Sequence, residues 1–215
     1  CNDENGKIID LLGGRVDIDN RIIKTIGIAE ERFEEDCLRI LRAIRFATIL
    51  DFELDESVIE GIKKTKHLLR NLSYYRKKSE LDRIFTSSNN MKGVNLLLEL
   101  GLDVELELDK LKEIKHIDSS ISAWSVLNVV DKYPFCSNEV ELIKNINSAL
   151  ELNNLDPMAL YRYGLYVNSV AGDIKGLDKK EITEAYASLV IHSKKDLDIE
   201  CDDIISALNR APGKY

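Results

Sequence analysis

Between Arg32 and Leu50 the chain reads Arg-Phe-Glu-Glu-Asp-Cys-Leu-Arg-Ile-Leu-Arg-Ala-Ile-Arg-Phe-Ala-Thr-Ile-Leu. Wound at about 3.6 residues per turn, Leu38, Ile40, Leu41, Ala43, Ile44, Ala47, Ile49 and Leu50 cover most of the circumference, and a helix of that kind belongs in an interior. Glu35, Arg39 and Arg42 nevertheless stack on one narrow stripe, with Arg32 and Asp36 beside it. Charges in apolar surroundings are costly unless they are paired or meet a polar ligand. The stripe is therefore a candidate binding site. An exposed Glu/Arg ladder would carry the same charges, but not so many large aliphatics around them.

The spacing has a chemical meaning. Glu35 and Arg39 stand one helical turn apart, so the carboxylate can hold the guanidinium in one orientation. Asp36 and Arg39 are three apart, so both can lean toward one object beside the helix. An acceptor-only carboxylate next to a donor-only guanidinium reads a flat edge that offers one donor and one acceptor. Cytosine offers an amine beside N3 and O2; adenine offers an amine beside N1.

Beyond Gly27 the helical pattern continues almost to the end, with only three prolines (Pro134, Pro157, Pro212). It predicts helices near 28–50, 55–68, 73–87, 89–100, 108–114, 119–132, 137–152, 156–172, 178–192 and 200–210. Asp55, Ser73 and Asp156 are the expected N-caps, with Pro157 in a first turn. Gly101 closes the 89–100 helix, and Asp202 could cap the last one. Residues 6–27 alternate and carry turn signals, so they read as the end of a β-structured unit or as short strands and turns. Nothing else reads as a strand before 197–199. The fold class is all-α: a multi-helix array with a short β/turn remnant at the N-terminus, its parts dividing as 1–27, 28–87, 88–190 and 191–215.

At 215 residues, 44% hydrophobic and 32% charged, the chain can form one large or two small domains. No apolar run approaches the ~18 residues of a membrane span. It opens at Cys1 without a Met, in what reads as folded sequence, and is expected to be a piece of a longer protein. Cys1, Cys37, Cys136 and Cys201 are far apart and lack metal-ligand spacing, which suits reduced thiols in a cytoplasmic protein. His67, His116 and His192 are equally scattered, and no metal site is expected. The net charge of −8 argues against a strongly basic nucleic-acid binder. Yet Lys63, Lys64, Lys66, Arg70, Arg76, Lys77 and Lys78 crowd one stretch, and a local basic patch can meet phosphate on an acidic protein. A solvated lysine face explains the same cluster equally well.

Several stretches taken together are similar to a known family. These are Gly6-Lys-Ile-Ile-Asp10, Gly13-Gly14, Ile22-Ile-Lys-Thr-Ile-Gly27, and the Glu35-Asp36-x-x-Arg39 block with its flanks from Arg32 to Phe46. Ser73-Tyr-Tyr-Arg76, Glu80-Leu81, Leu96–Leu102, Lys195–Ile199, Asp203–Ile205 and Pro212-Gly213 follow in the same order. The chain resembles bacterial class II CCA-adding tRNA nucleotidyltransferases, which belong with poly(A) polymerases in one superfamily. The Glu-Asp-x-x-Arg block is the specific part of the match.

The resemblance implies a head, neck, body and tail. Residues 1–27 match the passage from head to neck, 28–87 the neck, 88–190 the helical body and 191–215 the start of the tail. The head would carry the metal-binding carboxylates and Mg2+, so no catalytic or metal-binding residue is expected here and this chain alone should be inactive. The full enzyme would add CCA to tRNA 3′ ends from CTP and ATP. Asp36 and Arg39 would contact the incoming base and Glu35 would orient Arg39, so the protein serves as its own template. Arg32, Arg42, Arg45, Arg76 and Glu80 are the expected supports. Arg76 departs from the pattern, because the family usually has Glu before that arginine and here Tyr75 stands there. The tRNA acceptor stem is the expected partner, with Lys63, Lys64, Lys66, Lys77 and Lys78 as candidate contacts. A poly(A), CC-adding or A-adding relative shares the motif, and a non-catalytic helical RNA-binding module is the reading from another class.

Overall fold

The structure, a computed structural model, describes residues 10–196 and Ala207. Asp10 organises the first turn: its carboxylate accepts from the backbone N–H groups of Leu12, Gly14 and Arg15. Gly13 takes a left-handed conformation (φ 73°) that only glycine adopts at little cost. A short helix, α1 (Gly14–Asp19), follows where turns and strands were expected. β1 (Ile22–Ile23) then pairs in parallel with β2 (Glu53–Leu54), in the register Ile22 to Glu53 and Ile23 to Leu54. These are the only strands among the described residues, and everything else regular is helical, as the apolar spacing predicts.

The expected helix over 28–50 is two helices, α2 (Ala29–Glu35) and α3 (Leu38–Leu50). α4 (Glu56–Thr65) is capped by the Asp55 carboxylate at Ser57 N and runs into a 3-10 helix (Lys66–Asn71). α5 (Tyr74–Phe85) is capped by the Ser73 hydroxyl at Arg76 N, as expected. α6 (Asn90–Glu99) ends before Gly101, which is left-handed (φ 64°), and α7 (Leu102–Glu105) starts at once. Only a 3-10 turn (Leu111–Glu113) stands where a helix near 108–114 was expected. α8 (Ser120–Leu127) stops short of the expected end because Asn128 adopts a left-handed cap (φ 50°), a conformation asparagine tolerates. α9 (Ser137–Leu150) completes this part of the chain.

The chain divides into two compact units, Cys1–Asn147 and Ser148–Tyr215. In the first, α2 packs on α4, and α3 packs on α5 and α6. One core runs from Ala29 to Ile143 and includes Phe33, Ile40, Leu41, Ile44, Leu81, Ile84 and Trp124, all at most 2% exposed. Trp124 meets Phe85, Tyr133 and Phe135 at centroid distances of 5.2–5.3 Å. The crossing at α6 requires a glycine: a Cβ on Gly93 would overlap Ile84 and lie 2.7 Å from the Thr48 hydroxyl. Gly93→Ala should therefore cost about 1–3 kcal/mol by overpacking, despite the ~1 kcal/mol helix preference of alanine. Urea unfolding checks this, and a higher midpoint would mean α6 has room to move away from α3 and α5.

The second unit contains α10 (Pro157–Lys175) and α11 (Lys179–Ala187), packed on each other. Asp156 caps α10 as expected, accepting from Met158 N and Ala159 N. α10 is kinked at Gly164 (φ 75°, ψ 174°). The buried Asn168 amide donates to the carbonyls of Ala159 and Gly164, satisfying acceptors that the kink releases. Among the described residues no helix is long and apolar enough to cross a membrane. The expected helix over 200–210, the strand at 197–199 and the Asp202 cap lie outside the described residues.

Candidate nucleobase-binding site

The break between α2 and α3 falls on Asp36, whose backbone is extended (φ −151°, ψ 99°). Aspartate competes for nearby backbone donors and favours caps over helix interiors. Here Asp36 Oδ1 accepts from Leu38 N at 3.2 Å, and the Asp36 carbonyl accepts from Arg39 N at 3.0 Å, which restarts the helix. From α5, the Arg76 guanidinium donates to both carboxylate oxygens of Asp36, at 3.1 and 3.3 Å. A carboxylate has about four acceptor positions. Arg76 and Leu38 leave at least one of them on Oδ2, on a group already fixed in place.

Glu35 holds Arg39 as the spacing predicts. Arg39 Nη1 donates to Glu35 Oε2 at 2.6 Å and to the Arg32 carbonyl at 3.1 Å. Both Nη1 hydrogens are thereby engaged, leaving Nε and Nη2 with three donors for a ligand. Arg32 grips the same carboxylate at 2.8 Å and donates from Nε to the Ile26 carbonyl. The hydrogen bond from Arg39, then that from Arg32, holds the Glu35 carboxyl below the usual carboxylate range. A carboxyl depressed in the folded state stays charged until pH falls through its lowered value, so the grip on Arg39 is intact across the neutral range.

The stripe is not buried, which corrects the expectation from the apolar pattern. The side chains of Glu35, Arg39 and Arg42 are 49%, 41% and 50% exposed. Phe46, Ile49 and Leu50 also reach solvent, because α3 is covered by α5 and α6 on one side only. On the open side lies a hollow of about 500 Å³. Arg32, Arg39, Arg42 and Lys24 line it with Ile23, Ile26, Ala43 and Phe46. Arg39 thus faces the hollow, whereas Asp36 is turned to Arg76 and is not among the lining residues.

Beneath the stripe, Glu80 of α5 is 4% exposed and Arg45 of α3 8%. Arg45 Nη1 lies 2.9 Å from Glu80 Oε2, off the N–H direction, so the pair is a charge contact rather than an aligned hydrogen bond. Arg42 Nε approaches the same carboxylate at 3.7 Å, and the Arg45 guanidinium stacks on Phe46 at 4.4 Å. Arg42, Arg45, Arg76 and Glu80 therefore join α5 to α3 and to Asp36 at the break.

Comparison with known proteins bears on the family. Residues 51–106 match a family model described as "Probable RNA and SrmB- binding site of polymerase A", and residues 115–215 match one described as "tRNA nucleotidyltransferase domain 2 putative". The CCA-adding enzyme of Bacillus subtilis is 32% identical over 241 residues, and that of Lactococcus lactis subsp. cremoris 31% over 236. The crystal structure of the Bacillus stearothermophilus CCA-adding enzyme in complex with CTP superposes with a TM-score of 0.84 at 26% identity, covering 99% of this chain. The chain matches the C-terminal region of bacterial CCA-adding enzymes. It spans 61% and 59% of the length of the two curated CCA-adding enzymes and 62% of the crystallised one.

The five lysines expected to meet RNA are not brought together by this fold. Lys63 is exposed. Lys64 is exposed but bound to Glu30 at 2.6 Å, and Lys66 donates to the Leu100 carbonyl behind α6. Lys77 is 1% exposed and sits 4.7 Å from the Tyr74 ring centroid, its ammonium made less basic by burial. It is a core residue and not a surface contact. Lys78, with a side chain 14% exposed, is held by Asp82 at 2.9 Å over Phe135 and Trp124. The hollow's wall at Ile23, Lys24 and Ile26 was missed, because it depends on pairing with β2 some 30 residues on, which leaves no local signal.

Proposed function

We propose that this chain is the neck and helical body of an enzyme that adds CCA to tRNA 3′ ends, and that Arg39 and Asp36 select the incoming base. Residues 1–27 lead into the neck (28–87), the body takes 88–190, and 191–215 begin the tail. Arg39 offers free donors to N3 and O2 of cytosine or to N1 of adenine, and Asp36 Oδ2 accepts from the exocyclic amine. Uracil N3–H and O4, and guanine N1–H and O6, reverse the donor and acceptor at the ring nitrogen and the exocyclic group, and so leave Arg39 facing a donor and Asp36 facing an acceptor. Glu35 orients Arg39, Arg76 orients Asp36, and the Arg45–Glu80 pair fixes the helices that carry them. Arg32, Arg42 and Lys24 give the hollow a positive wall suited to phosphate oxygens. The observation that carries the reading is that Arg39 is locked by Glu35 while three of its donors stay open at the edge of a hollow.

In the complete reaction the tRNA 3′-oxygen attacks the α-phosphate of CTP or ATP, an O–P bond forms, and pyrophosphate leaves. Mg2+ supplies charge stabilisation and activation of the hydroxyl in such transfers. The hollow does not fit that ion: its charged wall is cationic, no carboxylate lines it, and Glu35, which pairs with two of its lining arginines, is already held by both. On this reading a head outside the chain would supply the metal chemistry and the rest of the triphosphate cleft, as the resemblance implies. A cytoplasmic setting fits the free thiols of Cys37 and Cys136.

Two assays test this. The chain alone, given tRNA lacking CCA, CTP, ATP and Mg2+, should add no nucleotide, and addition would refute the neck-and-body assignment. Placed in the Bacillus subtilis enzyme over the corresponding segment, it should support CCA addition. In that chimera Asp36→Ala should reduce CTP-over-UTP selection by roughly tenfold or more. Unchanged selection in a folded, active chimera would remove Asp36 from the site.

A further inference from the structure

The lysine-rich stretch does not form a surface, but another face of the same helix does. Tyr75, Ser79 and Arg83 recur every fourth residue of α5 and share one stripe about 12 Å long. Tyr75 is 75% exposed, an unusual position for so large an aromatic. Ser79 and Arg83 are also exposed, and no described residue bonds or pairs with any of the three side chains. The stripe borders a cleft of about 490 Å³ whose opposite wall is Pro134, Phe135 and Cys136. Its one acid is already engaged: Asp82 accepts from Trp124 Nε1 at 2.7 Å and from Lys78 at 2.9 Å, and nearby Glu139, outside the lining, accepts from Cys136 N at 2.8 Å. The groups left free are an aromatic face, a guanidinium and two hydroxyls. Aromatic faces stack bases, and arginine and hydroxyl groups bind phosphate oxygens. A duplex hides its base faces, so the fitting partner is single-stranded RNA. The stripe also starts beside Arg76, whose guanidinium holds Asp36.

We propose that the Tyr75–Ser79–Arg83 face of α5, with Phe135 opposite, holds the single-stranded 3′ end of the tRNA. A base stacks on Tyr75 and a phosphate is bound by Arg83 and Ser79. This rests on the tRNA-enzyme reading above and adds to it the path by which the growing end reaches the base-selecting residues.

The test uses the 215-residue chain and two fluorescent hairpins of acceptor-stem sequence, one blunt and one with a four-nucleotide 3′ tail. The chain should bind the tailed hairpin more tightly. Tyr75→Ala should weaken that binding about tenfold and leave the blunt hairpin unaffected, while Tyr75→Phe, which keeps the stacking face, should bind like the unaltered chain. Arg83→Ala should lower the slope of log affinity against log salt by about 0.7, one single-strand phosphate contact. Both positions are exposed, so the melting midpoint should hold and confirm the fold. Equal binding of the two hairpins, no RNA binding, or full affinity in Tyr75→Ala would overturn the proposal. Full RNA affinity with loss of a protein partner in Tyr75→Ala would reassign the face to a protein. Base selection by the chimera is read with mononucleotide substrates, so a failure of the base-selecting site is seen separately from a failure here.

Discussion

Glu80→Ala is expected to destabilise the first unit by about 3–5 kcal/mol, the cost of leaving one member of a buried ion pair without its partner. For a domain of this size that lowers the thermal midpoint by roughly 10 °C. The cause is specific. Arg45 would remain under α3 and α5 with its charge opposed only by stacking on Phe46. Glu80→Gln, which keeps shape and an acceptor, should cost less. Replacing both partners by apolar residues, Arg45→Met with Glu80→Leu, should recover much of the loss, because no unpaired charge is then buried. Thermal unfolding followed by circular dichroism separates the three. An unchanged midpoint for Glu80→Ala would show that the pair is solvated and does not fix α3 against α5.

Arg39→Ala is expected to remove base discrimination while leaving the fold intact. In the chimera with the Bacillus subtilis enzyme, the preference for CTP over UTP should fall by roughly 10- to 100-fold, the worth of one two-point base contact. Arg39→Lys should lose nearly as much, since a single ammonium bound to Glu35 cannot also present a planar pair of donors to the base. Glu35→Gln should be milder, because the guanidinium keeps its bond to the Arg32 carbonyl. Steady-state selectivity with each nucleoside triphosphate reads these outcomes. If Arg39→Lys selects normally, the fork geometry is not what reads the base.

Much of this was legible in the sequence where the cause is local. Asp55, Ser73 and Asp156 cap helices where a short polar side chain precedes an apolar period, and Glu35 and Arg39 meet because they are one turn apart. The break at Asp36 was missed because the apolar period continues across it, and one extended residue leaves the pattern of its neighbours almost in phase. Glu-Asp-Cys, with a cap-forming residue in mid-helix, was the available signal. The partner of Asp36 lies 40 residues away on α5, so no spacing rule could pair it with Arg76. Lys77 and Lys78 look alike in a list of charges, yet α5 turns Lys77 into the core and Lys78 against Trp124, and only the helix phase against α3 and α8 distinguishes them from Arg83. The open side of α3 was equally hidden. Its aliphatic girth suggested full cover, but Phe46, Ile49 and Leu50 are left exposed.

The most direct test of the central claim is a titration of the 215-residue chain, with labelled arginine side chains, by CMP, AMP, GMP and UMP in turn. If Arg39 and Asp36 read the base edge, the Nε–H and Nη resonances of Arg39 should shift with CMP and AMP and stay in place with GMP and UMP, and Asp36→Ala should abolish that difference. Equal shifts with all four nucleotides, or shifts confined to residues away from the hollow, would contradict it.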